Sequence, residues 1–301
     1  MQTRLFLPIL WLISTAFLAI GGEVKRMKDI PYLESGRSET LDLYLPPDAS
    51  GKPRPAVLWI HGGGWVGGSK RSRVVEESCR YLASEGYVVA AIDYALASRE
   101  RHTWPLALLD GKNGIRFLRV NAEKYSIDPG RIAVMGSSAG GHLALMVAFT
   151  HGDAALTPEA PYPGVDDSVA AVADFYGITN LLTRQRVTPQ GELTGTLNPG
   201  TSFSFTGVRF PGGKAVWKAA SPVTHVKQGL PPVFITHGKC DTTVDYPQAT
   251  ELAAALERAQ VPHELILLET AGHSYSLTHW KGAPLERDLR QPLFEFLKKH
   301  L

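Results

Sequence analysis

From residue 41 onward the chain alternates short apolar runs with stretches of helical period. The runs are "LDLYL" (41–45), "AVLWI" (56–60), "VVAAID" (88–93), "IAVMG" (132–136), "VAAVADFYG" (169–177), "PVFITHG" (232–238) and "HELILLE" (263–269). Several are continuous Val, Ile, Leu and Ala, as expected of parallel strands covered on both faces. Helical patterns lie between them at about 72–84, 105–124, 139–149 and 246–259. A last one at about 285–300 ends in Lys298, Lys299 and His300, cations suited to the negative end of the helix dipole. Strand and helix alternate through nearly the whole chain. This predicts an α/β fold with a mostly parallel, doubly wound sheet and helices on both faces. One segment, 184–214, breaks the alternation: it is rich in Gly, Thr and Pro and has no clear period. It reads as an insertion loop near the functional site.

The first 22 residues follow a different pattern. Arg4 precedes an apolar run from Leu5 to Ile20, and Ala19-x-Gly21 offers a small-residue cleavage site. This is the layout of a secretory signal peptide. Sixteen apolar residues interrupted by Pro8 are short for a membrane span, which needs about 20. Residues 1–22 are therefore expected to direct export and be removed, leaving a secreted or periplasmic protein with no stable membrane insertion. Residues 23–301 then form one domain. The net charge of +2, from 31 basic and 29 acidic residues without a like-charged block, gives no support for nucleic-acid binding. The two cysteines, Cys79 and Cys240, make no disulfide framework, and no His or Cys pair has metal-ligand spacing.

The sharpest chemical signal is "IAVMGSSAGGHLAL". A strand runs into Gly136-x-Ser138-x-Gly140 and a helical pattern follows, the strand–turn–helix context of a nucleophile elbow. Ser137 is adjacent but lacks the flanking glycine symmetry. A serine hydroxyl needs a base oriented by a third group. In this fold the acid and then the histidine follow the serine along the chain. After strand 232–238, "HGKCDTTVDYP" offers Asp241 and Asp245; after strand 263–269, "TAGHSY" offers His273. Asp241 stands at the strand's end, whereas Asp245 precedes a helix, where N-capping accounts for it, so the acid is assigned to Asp241. Among the ten histidines, His273 has the order and the loop context. His142 falls within the helix after the elbow, and His279 follows no strand exit.

"AVLWIHGGGWVGG" (56–68) admits two readings. Gly62-x-Gly64-x-x-Gly67 after an apolar run matches a dinucleotide-binding fingerprint, with Asp93 as its acid. However, the helix that should open within the glycines is delayed to about residue 72, and the reading leaves Ser138, Asp241 and His273 unexplained. The same glycines serve an oxyanion: the backbone N–H groups of Gly63 and Gly64, with that of Ala139 after the nucleophile, can face developing charge. His61 is expected to hold this loop rather than to titrate.

Together, "WIHGGGW", "AAIDYAL", "GSSAGGHLA", "ASPVTHV", "PPVFITHGKCD" and "AGHS" resemble the α/β-hydrolase superfamily. They are most similar to the BD-FAE-type feruloyl and acetyl-xylan esterases, with the hormone-sensitive-lipase-like esterases as next relatives. The resemblance spans roughly residues 35–300. It implies Ser138 as nucleophile, Asp241 and His273 as its partners, the N–H groups of Gly63, Gly64 and Ala139 as the oxyanion hole, and no metal or organic cofactor. It also implies an ester substrate, small or polysaccharide, with acetyl or feruloyl groups on plant polysaccharide fitting both resemblance and export. Trp65, Tyr94 and Trp104, with Phe203 and Phe205, are candidates for lining the substrate site. The chain departs from the lipase-like group in having Gly136-Ser137 before the nucleophile, where that group has Asp, and from relatives generally in having Ala95 where Arg is usual. The other readings are a general short-chain or lipase-like carboxylesterase and a non-catalytic α/β-hydrolase homologue.

Overall fold

The computed structural model of the chain describes residues 23–47 and 51–301; the expected signal peptide, residues 1–22, lies outside the described residues. The strands are β1 (Lys25–Pro31), β2 (Thr40–Leu45), β3 (Arg54–Ile60), β4 (Val88–Ile92), β5 (Ile127–Ser137), β6 (Ala171–Phe175), β7 (Gln185–Val187), β8 (Leu193–Leu197), β9 (Val233–Gly238), β10 (His263–Leu268), β11 (His279–Trp280) and β12 (Ala283–Pro284). The helices are α1 (Arg73–Ser84), α2 (Leu106–Val120), α3 (Ala122–Tyr125), α4 (Ala139–Phe149), α5 (Ser202–Thr206), α6 (Lys214–Ala219), α7 (Pro247–Arg258) and α8 (Arg290–His300).

Eight strands form one sheet in the order β1-β2-β4-β3-β5-β6-β9-β10. The pairs β1/β2 and β2/β4 are antiparallel and the rest are parallel. This is the α/β-hydrolase arrangement the apolar runs predict. Alternate residues of each central strand feed two cores. Leu58, Ile60, Ile92 and Val134 meet Leu108 of α2 and Leu143 of α4 on one face. On the other, Val57, Trp59, Val89 and Met135 meet Leu82 of α1 and Phe296 of α8. The continuous apolar character of β3 and β4 follows directly, because neither face sees water. After β3 the chain crosses to β4 on one side and returns past β3 to β5 on the other. The carboxyl ends of β3 and β5, paired at Ile60 and Gly136, therefore flank a topological switch point, where ligand crevices form in such sheets.

The structure differs from the sequence expectations in four places. β1 was not anticipated: its face is largely exposed, so it carries no apolar period, and it is held as an edge strand by β2 and by the Arg26–Asp42 ion pair (2.7 Å). The 105–124 pattern is two helices, divided at Asn121, whose Nδ2 donates back to the Phe117 carbonyl at 2.9 Å. The final helix begins at Arg290 rather than near 285, because Ala283–Pro284 pairs with His279–Trp280 and the Glu286 carboxylate accepts from the Thr270 N–H and hydroxyl. Residues 184–214 are not an irregular loop but the β7/β8 hairpin followed by α5. Their strands are too short and too exposed to leave a period.

Candidate active site

Ser138 stands between the last residue of β5 and the first of α4. Its backbone is left-handed, at φ 55° and ψ −121°, a conformation that costs a non-glycine residue about 1–3 kcal/mol. The surroundings enforce it: the Ser138 N–H donates to the Phe175 carbonyl of β6 (2.8 Å), and the Ser138 carbonyl accepts from the His142 N–H (3.0 Å). The turn also brings α4 hard against β3. A Cβ on Gly140 would lie 2.1 Å from the Ile60 carbonyl oxygen, so only glycine fits there. Ala139, as the first residue of α4, has an N–H with no acceptor inside the helix, and the positive end of the helix dipole lies beneath the serine.

The other members of the expected triad come from later strand ends. Asp241 follows β9 and His273 follows β10. His273 Nε2 lies 3.0 Å from Ser138 Oγ, and its Nδ1 lies 2.6 Å from Asp241 Oδ2. Ser137 is also at the cleft, but the histidine bonds Ser138. The Asp241 carboxylate is buried and its other oxygen accepts from the N–H groups of Thr243 (2.8 Å) and Val244 (2.9 Å). His237 Nε2 approaches Oδ2 at 3.4 Å while bonding the Val244 carbonyl at 3.0 Å. Burial alone would raise the Asp241 pKa, but the hydrogen bonds from His237 and His273 outweigh it and hold the carboxyl well below its ordinary range. The acid is thus fixed as an anion. Asp245 is elsewhere: its Oδ1 accepts from the Gln185 N–H (2.9 Å) and ties the hairpin segment down. It caps no helix, since α7 opens at Pro247 after Tyr246 without a side-chain cap. Behind this group the buried Asp174 of β6 has no completed hydrogen bond on either oxygen, and burial lifts its pKa to about 7.

The glycine loop leaves β3 beside the elbow; a Cβ on Gly62 would meet Ser138 Cβ at 3.2 Å. Gly63 adopts φ 125° and a Cβ there would lie 2.0 Å from the Gly67 carbonyl oxygen, so the loop's path depends on glycine. Among the described residues no backbone carbonyl accepts from the N–H of Gly63 or Gly64, which leaves both available to a ligand. His61 is buried, its Nδ1 lies 2.6 Å from the Gly62 carbonyl, and its ring stacks on Tyr94 at 4.5 Å. Burial lowers its pKa, so the ring is neutral and donates from Nδ1. It braces the loop.

A cleft of about 760 Å³ opens at these groups. Its lining includes Gly62–Gly64, Ser138 and His273, and from the 184–214 segment Arg184, Asn198, Gly200 and Thr201. Sequence reasoning did not single out Tyr176, whose ring lies 4.9 Å from that of His273 and whose hydroxyl donates to the Tyr275 carbonyl (2.9 Å). Its place just beyond β6 was the available signal. Trp280, whose Nε1 donates to the His273 carbonyl (3.0 Å), and Arg184 had none.

Comparison with known proteins fits this geometry. Residues 41–256 match the model of the BD-FAE family. The chain belongs to the BD-FAE family. Among relatives of this BD-FAE chain, esterase LipQ of Mycobacterium tuberculosis is 32% identical over 77% of the chain and 52% of that protein. Esterase LipC of the same organism is 34% identical over 80% of the chain and 58% of that protein. The chain therefore spans little more than half the length of these two relatives. Among solved structures, a truncated carbohydrate esterase from gut microbiota superposes with a TM-score of 0.78, covering 94% of this chain and 98% of that one at 22% identity. A butyrate-bound esterase from Thermogutta terrifontis gives 0.72, covering 93% and 94% at 27% identity.

The aromatic residues expected to line the substrate site of this BD-FAE chain are mostly placed otherwise. Tyr94 is buried beneath the glycine loop, donating to the His61 carbonyl at 3.0 Å. Trp65 borders the cleft but exposes no surface. Its ring stacks on Phe205 at 4.6 Å and its Nε1 donates to His142 Nδ1 at 3.3 Å. His142, with Nε2 on the Ala220 carbonyl and a pKa lowered by burial to about 4, is a neutral core residue. Trp104 packs edge-on against Phe205, and Phe203 packs against His102 and beneath Arg209. Neither lines the cleft. Trp65 and Trp104 pack on Phe205 and so hold α5 in place. Cys79 is buried, Cys240 is exposed, and both are free thiols. Among the described residues no cluster of His, Cys, Asp and Glu could hold a metal, and no helix is long and apolar enough to cross a membrane.

Proposed function

We propose that the chain is an exported serine carboxylic-ester hydrolase that works through an acyl-enzyme and removes acetyl or feruloyl groups from plant polysaccharide. The observation that carries the reading is His273, held between Ser138 Oγ at 3.0 Å and Asp241 Oδ2 at 2.6 Å. Ser138 Oγ attacks the ester carbonyl carbon while His273 Nε2 takes its proton. Charge builds on the carbonyl oxygen, where the N–H groups of Gly63, Gly64 and Ala139 would receive it; one such donor is typically worth about 10²–10³ in turnover. Collapse of the tetrahedral intermediate expels the alcohol, which takes the proton from His273. Water, activated by the same imidazole, then releases the acid and restores Ser138. Asp241 keeps Nδ1 protonated and stabilises the imidazolium.

The polysaccharide substrate rests on the resemblance and on the family, and export rests on the apolar run Leu5–Ile20 after Arg4. A general short-chain carboxylesterase is the second reading, favoured by LipQ and LipC being named esterases with no carbohydrate in the name. A non-catalytic homologue would have no need of a complete hydrogen-bonded triad. The test compares wild type with Ser138→Ala on 4-nitrophenyl acetate, methyl ferulate, acetylated xylan and a long-chain 4-nitrophenyl ester. Turnover by wild type alone, highest on acetylated xylan or methyl ferulate, is the expected result. Preference for the simple 4-nitrophenyl esters moves the chain to the second reading. Equal behaviour of the two proteins overturns the mechanism.

A further inference from the structure

The proposed reaction needs no cation in the cleft, yet one is built into its wall. Arg184 is only 5% exposed and lines the cleft that contains Ser138 and His273. A guanidinium carries five N–H donors and has no accessible neutral form. Among the described residues Arg184 makes one side-chain hydrogen bond, from Nη2 to the Thr243 carbonyl at 2.8 Å. Its Nε is buried without an acceptor, and Nη1 packs over Gly200, where a Cβ would lie 2.6 Å away. Among the described residues no carboxylate is within ion-pairing distance of it. Asp245 and Asp241 act on it only at longer range. Asp241 is already saturated by His273 and two backbone N–H groups, and burial pushes Asp245 toward its neutral form.

The rest of the lining does not cancel this charge. Its other arginine, Arg73, is exposed and paired with Glu77 at 2.6 Å. No Asp or Glu is among the described residues that line the cleft. A buried charge without a partner is costly, and a positive cleft with low-dielectric walls gathers anions. Asn198, Thr201 and Thr243 stand beside Arg184 in the lining, offering neutral polar groups around a bound anion.

We infer that Arg184 is a carboxylate subsite, so that the preferred esters carry an anionic group on the acyl or the alcohol part. A half-ester of a dicarboxylic acid would present it from the acyl side. A uronate-bearing saccharide ester would present it from the alcohol side. This rests on the esterase reading above and narrows its substrate class.

Two matched pairs separate the sources at low ionic strength. Mono-4-nitrophenyl glutarate against 4-nitrophenyl pentanoate probes the acyl side. 4-Acetoxybenzoate against its methyl ester probes the alcohol side. The expected result is that the anionic-to-neutral ratio of kcat/KM is about tenfold higher in wild type than in Arg184→Met for one pair, the scale of a charge-assisted hydrogen bond. Arg184→Lys should retain part of it. Equal ratios in wild type and Arg184→Met, or a loss that falls alike on both members of each pair, overturn the inference. If Arg184→Met does not fold, inhibition of wild type by glutarate or benzoate decides: competitive, salt-sensitive inhibition upholds the subsite and its absence overturns it. If wild type turns over no ester of either kind, the esterase reading fails by itself. Calorimetric binding of glutarate and benzoate to the same protein then tests the subsite, and no binding overturns it.

Discussion

Asp241 and Arg184 are both buried charges at the carboxyl end of the sheet, and their surroundings differ in kind. Asp241 accepts from His273 and from the Thr243 and Val244 N–H groups; among the described residues the Arg184 side chain makes one hydrogen bond and leaves Nε unmatched. The chain fixes its acid completely before any ligand arrives, as a group that must hold an imidazole at one angle requires. It leaves the cation unfinished. Asp174 shows a third outcome: a buried carboxyl with too few partners can escape by taking a proton, and burial lifts its pKa to about 7. Arginine has no such escape, so its missing partner has to come from outside.

Several measurements would break or sharpen this contrast. The largest effect belongs to Ser138→Ala, expected to lower kcat/KM on 4-nitrophenyl acetate by about 10⁵-fold or more while the thermal midpoint is nearly unchanged, since alanine at φ 55° carries the same backbone strain and lacks only the hydroxyl. Next comes Asp241→Asn, expected to cost about 10⁴ in kcat by leaving the wrong His273 tautomer. The same variant carries a stability signature. The folded carboxyl titrates lower than the unfolded one, so its contribution is present above about pH 4 and disappears as pH falls through the folded value. Urea midpoints of wild type should therefore drop on acidification more steeply than those of Asp241→Asn. A smaller effect, about tenfold and confined to the anionic-to-neutral ratio, is expected of Arg184→Met as described above.

Asp174→Asn is expected to act on stability and not on the chemical step. Here the sign reverses: the folded carboxyl titrates near 7 and the unfolded one near 4. The folded state then holds the extra proton between those values and stability falls as pH rises across that window. Replacement by Asn should flatten the dependence of the urea midpoint between pH 4 and 7. A slope that persists in the variant would place its origin in other groups.

The parts of the fold and site that were legible in the sequence are those where chemistry and chain order coincide. The elbow around Ser138 is spelled by glycines that a close approach demands, as at Gly140 beneath the Ile60 carbonyl. Asp241 and His273 each follow a continuous apolar strand, so strand ends alone locate them. The structure places the two with Ser138 in one hydrogen-bonded row. What was not legible depends on orientation rather than order. Tyr94 also follows an apolar strand, but its side chain turns beneath the glycine loop to meet the His61 carbonyl. Trp65, in a left-handed backbone conformation at φ 62°, sends its ring into the core against Phe205. Arg184 opens a segment with no period. Its importance comes from Thr243 and Gly200, residues distant in sequence that the hairpin brings beside it.

The most direct test of the central claim is to treat the purified protein with paraoxon, which phosphorylates activated serines, and to map the adduct by peptide mass spectrometry with Ser138→Ala alongside. One diethylphosphoryl group on Ser138 of wild type, none on the variant, and concurrent loss of ester hydrolysis is the predicted result. An unlabelled, well-folded wild type, or a label carried by Ser137 instead, would contradict the assignment of Ser138 as the nucleophile.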